Sequence, residues 1–201
     1  YLGFVPNEEC ILEGYKKLPP GHVLILDLNT PYKKSEMKIH PFWSPPLPTI
    51  PNISSSSSYE MLEELNDLLC SSVKQQLLAD VPLGILLSGG LDSSLISAIA
   101  AKNTKINTFS VGFPSSHIHD ETKYARKVAQ HIGSEHHELM IEQVQPETLQ
   151  SLALHFDEPI IDSSMIPTFL ISKMVRKHCK VVLGGDGADE LFGGYPHYNN
   201  W

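Results

Sequence analysis

From Tyr59 to about Leu78 the apolar positions Leu62, Leu65, Leu69, Val73 and Leu77 recur at three- and four-residue intervals. That spacing predicts one amphipathic helix with a single buried face. Leu83-Gly84-Ile85-Leu86-Leu87 follows, short, apolar and branched enough to be a buried parallel strand, and Ser94 to Lys102 carries helix formers at helical spacing. Beyond it the pattern alternates. Ile106 to Phe113 reads as a strand, Glu121 to Gly133 as a helix, His136 to Ile141 as a strand and Pro146 to Phe156 as a helix. Met165 to His178 is helical in pattern and Lys180 to Leu183 is the next strand. Strands alternating with helices predict an α/β domain, a parallel sheet with helices on both faces, whose ligands bind beyond the carboxyl ends of the strands.

The first part of the chain reads differently. Over residues 1–40, Gly14, Pro19, Pro20 and Gly21 punctuate short β-like runs such as His22 to Leu28, which predicts a short antiparallel β piece. Residues 41–58 hold Pro41, Pro45, Pro46, Pro48 and Pro51, then five serines from Ser54 to Ser58. This composition predicts a linker, so the α/β domain is expected over 59–201.

Between the first α/β strand and its helix lies Ser88-Gly89-Gly90-Leu91-Asp92-Ser93. Glycines there let the backbone take positive φ and come close to a ligand, and the amides opening the next helix have no intrahelical acceptor. Together they form an anion cradle. Ser88 and Ser93 add hydroxyl donors for phosphate oxygens, and Asp92 is placed to hold the Mg²⁺ that accompanies a pyrophosphate. A simple capping role for Asp92 and Ser93 accounts for one acid and one hydroxyl, but not for two adjacent glycines. The motif matches neither the Gly-Lys-Ser/Thr phosphate loop nor the G-x-G-x-x-G dinucleotide turn.

A second block, Asp157-Glu158-Pro159 with Asp162-Ser163-Ser164, precedes Gly184-Gly185-Asp186-Gly187-Ala188-Asp189-Glu190-Leu191-Phe192-Gly193-Gly194-Tyr195. Asp186, Asp189 and Glu190 form an acidic cluster in a glycine-rich turn, which a cation would neutralise; a helix N-terminus carrying favourable acids is the competing reading. Glu158-Pro159 also reads as a helix-ending turn.

The Ser-Gly-Gly-x-Asp-Ser turn resembles the loop of the ATP pyrophosphatases, which cleave ATP to AMP and pyrophosphate. With the second block, and with Leu18-Pro19-Pro20-Gly21-His22, the chain resembles glutamine-dependent asparagine synthetase: its synthetase domain preceded by the closing strands of its glutaminase domain. The resemblance implies ATP and Mg²⁺, with Asp92 and Asp189 holding the metal-pyrophosphate and Asp186 at an acid position implicated in forming the acyl-adenylate. Some family members have Glu there. It puts adenine contacts at Leu86 and Val111, and lets ribose or adenylate lie against Gly184 and Gly185, where the family commonly has Ser-Gly. The implied reaction joins aspartate to AMP and then transfers ammonia, derived from glutamine, to give asparagine; a homodimer formed through other regions is a further implication. Cys10 lacks the context of the family's terminal nucleophile, so glutamine hydrolysis is not expected of these residues. The chain stops soon after the second motif, so these residues alone are expected to bind nucleotide weakly and turn over poorly.

The remaining composition narrows the partners. A net charge of -8 over 201 residues, without a Lys/Arg run, argues against nucleic-acid binding. No apolar stretch approaches the ~20 residues of a membrane span and no leader pattern opens the chain, so a cytoplasmic protein is expected. Cys10, Cys70 and Cys179 read as buried thiols. His117, His119, His131, His136 and His137 lack zinc-site spacing and read as scattered structural and surface residues. Two other readings stay open: a different amide ligase on this scaffold, of the β-lactam synthetase or cell-surface sugar amidotransferase kind, and a nucleotide-binding module without catalysis.

Overall fold

His22–Leu26 (β1) pairs antiparallel with Met37–Pro41 (β2), in register from His22 opposite Pro41 to Leu26 opposite Met37. The Gly21 carbonyl closes the open end by accepting from the amides of Phe42 and Trp43 at 2.8 and 3.2 Å. This hairpin belongs to the first of two units into which the chain divides, Tyr1–Ser55 with Gln150–Ser163; the second is Ser56–Leu149 with Ser164–Trp201. The computed structural model describes residues 3–6, 8–29, 37–46, 57–114, 120–156, 158 and 160–200, with Asn199 and Asn200 described by backbone alone. Pro48, Pro51, Ser54 to Ser56, His117, His119, Asp157 and Pro159 therefore lie outside the described residues.

In the second unit, α1 spans Ser58–Gln76 and is capped reciprocally: the Ser57 hydroxyl accepts from the Glu60 amide at 3.3 Å while the Glu60 carboxylate accepts from the Ser57 amide at 2.9 Å. The last two serines of the expected linker thus cap and open a helix. β3 (Leu83–Leu86), α2 (Leu91–Ala101), β4 (Asn107–Gly112), α3 (Thr122–Ile132) and β5 (Glu135–Met140) follow. Next come α4 (Pro146–Ala153), whose residues from Gln150 on fall in the first unit, α5 (Met165–Val175), β6 (Val181–Leu183) and α6 (Ala188–Phe192), the last followed by a 3-10 turn over Pro196–Asn200. Four strands make one wholly parallel sheet in the order β5-β4-β3-β6.

Side-chain alternation shows how that sheet is covered. Ile85 packs with Val73 of α1 and with Ile99 and Ala100 of α2, whereas its neighbour Leu86 joins the cluster of Phe109, Ile171 and Val175, the last two from α5. Leu87 meets Ala125 and Ala129 of α3. Helices therefore cover both faces, with α1, α2 and α3 on one and α5 on the other. Gly84 leaves room for the fully buried ring of Phe109 and for Cys179 Sγ, which a Cβ would meet.

Several elements differ from the sequence expectation. β2 supplies the second strand of the short antiparallel piece expected over 1–40 and runs one residue past that limit, and α6 forms where an acidic turn was weighed against a helix N-terminus. α4 ends at Ala153 and α5 at Val175, three residues short of the expected limits in each case. Of the three cysteines only Cys179 is buried; Cys10 and Cys70 are half-exposed.

Candidate nucleotide site

The turn between β3 and α2 is built by its own hydroxyls. Ser88 Oγ and Ser93 Oγ lie 2.9 Å apart, the Ser88 amide donates to Ser93 Oγ at 3.2 Å, and the Gly90 amide donates to Ser88 Oγ at 3.2 Å. Ser93 Oγ also reaches the Gly90 carbonyl at 3.4 Å. Two hydroxyls expected as open phosphate donors thus clasp each other and preorganise the loop.

Only one of the two glycines takes positive φ. Gly89 sits at φ 87°, and a Cβ there would run into the Ala125 amide and the Tyr124 backbone of α3. Gly90 has φ −69° and ψ 170°, the extended conformation of a helix N-cap, so its expected left-handed backbone is not found. The first bond inside α2 runs from the Ser94 amide to the Gly90 carbonyl. The amides of Leu91, Asp92 and Ser93 therefore have no acceptor within the helix and carry its positive dipole end.

The second motif comes to the first through β6, which pairs with β3. The chain leaving β6 runs over α2, where Gly185 lies against the Ser93 amide and the Asp92 side chain. Gly187, at φ 90°, then starts α6. Gly194 packs against Asp189, to whose carbonyl its amide donates at 3.0 Å.

These elements enclose a cavity of about 510 Å³. Leu86, Ser88, Gly90, Asp92 and Ser93 line it from the first turn, Val111 from β4, and Gly184, Gly185, Asp186 and Asp189 from the second motif. Gly89 shapes the turn without lining the cavity. Sequence reading missed Phe109, Ser110, Phe113 and Glu121, and the α5 wall of Pro167, Thr168 and Ile171. Glu190 and Tyr195 also line it, with the Tyr195 phenol donating to Glu190 Oε1 at 2.7 Å. That bond pushes the Tyr195 hydroxyl up to about 12 and holds the Glu190 carboxyl below its usual range. Glu158 belongs to the first unit, where it accepts from the Ile11 amide at 2.9 Å and pairs with Lys17 at 2.5 Å. Hydrogen bonding by Lys17, then by Ile11, lowers its pKa. Ser164 precedes α5 as its N-cap residue.

Among the described residues no group of three His, Cys, Asp or Glu side chains converges as a metal centre. What lines the cavity instead is a set of separated carboxylates beside an amide cradle. That donor set fits magnesium, which keeps waters and is held by one or two carboxylates together with substrate phosphates.

A parallel sheet with helices on both faces and a cavity beyond the carboxyl ends of its strands define an α/β ligand-binding domain, and its Ser-Gly-Gly-x-Asp-Ser turn resembles the loop of the ATP pyrophosphatases. The sequence matches the family model described as Asparagine synthase over residues 64–201. The chain belongs to the asparagine synthase family. A Methanocaldococcus jannaschii protein with the provisional name asparagine synthetase [glutamine-hydrolyzing] 2 is 37% identical over 205 residues, covering 100% of this chain and 38% of its own. Asparagine synthetase [glutamine-hydrolyzing] 1 of Bacillus subtilis is 39% identical over 69% of this chain and 22% of its own. Asparagine synthetase B [glutamine-hydrolyzing] of Escherichia coli is 37% identical over 68% of this chain and 27% of its own. The chain thus spans less than two fifths of the length of these relatives.

Proposed function

We propose that this chain carries the nucleotide-binding part of an enzyme that makes asparagine from aspartate, ATP and ammonia or glutamine-derived nitrogen. The side-chain carboxylate of aspartate attacks the α-phosphorus of ATP, an oxygen-phosphorus bond forms, and pyrophosphate leaves. Ammonia then adds at the acyl carbon of β-aspartyl-AMP, loses a proton and displaces AMP.

The chain's share is positioning and charge stabilisation. The amides of Leu91, Asp92 and Ser93 face the departing pyrophosphate. Asp92 and Asp189 hold magnesium, which when bound offsets phosphate charge. Asp186 serves formation of the acyl-adenylate, Leu86 and Val111 take the adenine, and Gly184 and Gly185 let ribose lie against the backbone. Residues 1–40 are assigned to the end of a glutaminase-like β domain, 41–58 to a linker and 59–201 to the synthetase domain. A cytoplasmic setting, small-molecule partners and a homodimer made through other regions belong to the same reading. Among the described residues no helix is long and apolar enough to cross a membrane.

One observation supports this most: in a chain of this family, Ser88, Gly90, Asp92 and Ser93 of the first motif line one cavity with Gly184, Gly185, Asp186 and Asp189 of the second. The test is AMP and pyrophosphate release by the full-length protein with Mg-ATP and ammonia, with and without aspartate. Aspartate-dependent AMP with asparagine formed is expected. AMP release indifferent to aspartate would move the reading to another acceptor, and no AMP would leave a binding module.

A further inference from the structure

Thr108 and Ser110 stand two residues apart on β4 and are buried, at 0% and 3% exposure. Buried hydroxyls need partners, and both find the same one. His136 of β5, in register with Thr108, meets Thr108 Oγ1 through Nδ1 at 2.9 Å and Ser110 Oγ through Nε2 at 3.2 Å. Thr108 Oγ1 is also 2.8 Å from Ser134 Oγ, which donates to the Ala129 carbonyl at 3.5 Å. Nε2 also faces the Glu138 carboxylate, which only accepts, so the imidazole proton sits on Nε2 and is donated toward Ser110 Oγ. Nδ1 then accepts from Thr108, and Thr108 Oγ1 shares the Ser134 proton across the shorter 2.8 Å contact. The chain of bonds has one direction and ends at Ser110, a residue of the cavity wall.

The same imidazole lies 3.5 Å from Glu138 Oε1. Glu138 is gripped by Arg126 of α3 through Nε at 2.9 Å and Nη2 at 2.6 Å. α3 is also the helix whose first turn, at Tyr124 and Ala125, lies against Gly89. We infer that His136 is a positioning residue for the nucleotide cavity, holding Ser110 in the wall and bracing the Glu138-Arg126 pair that seats α3 behind the phosphate turn. The inference rests on the proposed role of this cavity in binding ATP.

The test compares His136→Asn, whose amide reaches only toward Thr108, with His136→Gln, whose longer amide reaches Ser110. In the nucleotide-free protein, His136→Asn is expected to shift the backbone amide resonances of Ser110, Gly89 and Ala125, and His136→Gln to restore them. Mg-ATP affinity by calorimetric titration is expected to fall roughly tenfold in His136→Asn, the equivalent of ~1.4 kcal/mol. It should recover in His136→Gln. Unmoved Ser110 and Gly89 amides, or an unchanged affinity beside a lowered melting temperature, would overturn the positioning role. Failure of the unsubstituted protein to bind Mg-ATP would instead sink the nucleotide reading, while the nucleotide-free amide shifts would still decide the role of His136.

Discussion

Gly185 lies against the Ser93 amide: a Cβ built on it would stand 3.1 Å from that nitrogen and 3.2 Å from the Asp92 Cβ. The neighbours are the first turn of a helix, which cannot swing aside as a long side chain would. Gly185→Ala is therefore expected to cost about 1–3 kcal/mol as overpacking. Its effect on Mg-ATP affinity should exceed that of an alanine placed at an exposed position of α1, such as Glu64. Calorimetric titration beside thermal melts checks both; full affinity in Gly185→Ala would mean the two motifs need not touch.

Gly89 carries the stronger constraint, because its φ of 87° is itself unfavourable for any residue with a Cβ. Gly89→Ala is expected to lose ~1–2 kcal/mol from the backbone alone. Contact with the Ala125 amide adds to that loss. Gly90→Ala, at φ −69°, should be much milder. Chemical denaturation of the two variants gives the comparison, and equal losses would contradict the backbone assignment.

Asp92 sits beside amides that attract anions, so its two effects on ATP oppose each other. Under the proposed metal role, Asp92→Asn removes a magnesium ligand and also removes repulsion. Affinity for Mg-ATP is expected to fall about tenfold, ~1.4 kcal/mol, while affinity for ATP in chelator stays level or rises. A parallel fall in both titrations would remove the metal role.

Tyr195 is expected to ionise only as pH approaches about 12, a late transition that phenolate absorbance follows. Its folded pKa is raised to about 12 from 10.0 by its bond to Glu190, so the stability linked to it is complete below pH 10 and lost as pH climbs through about 12. Tyr195→Phe should abolish that late transition and return Glu190 toward its ordinary range.

His136 works in the other direction. Burial lowers its pKa from 6.5, even with Glu138 opposing the shift, so the folded protein favours the neutral ring. Stability linked to it is complete above pH 6.5 and lost as pH falls through the lower folded value. His136→Gln should flatten the decline of stability between neutral and mildly acid pH in denaturant titrations.

The strand and helix alternation was legible because burial on both faces forces continuous apolar strands such as Leu83 to Leu87. The phosphate turn was legible because its glycines and hydroxyls are adjacent in sequence. The α5 wall was not: Pro167, Thr168 and Ile171 reach the cavity only once α5 has packed on the face that bears Phe109. Ser110 was hidden for a related reason, since its significance depends on His136 across the sheet. The backbone of Gly90 was misjudged because an N-cap needs extended rather than left-handed geometry, and a Gly-Gly pair does not say which member turns. Glu158 has a signal only in three dimensions, through Lys17.

Because all four strands of the sheet point the same way, every turn that lines the cavity leaves from one rim. The opposite rim includes the exposed bend Asn103 to Lys105, between α2 and β4. A dye or an affinity handle attached at Lys105 would sit at the entry to a cavity-lining strand and at the far end of it from the chemistry, giving a tether for single-molecule or surface-immobilised work that leaves the nucleotide rim open to solvent.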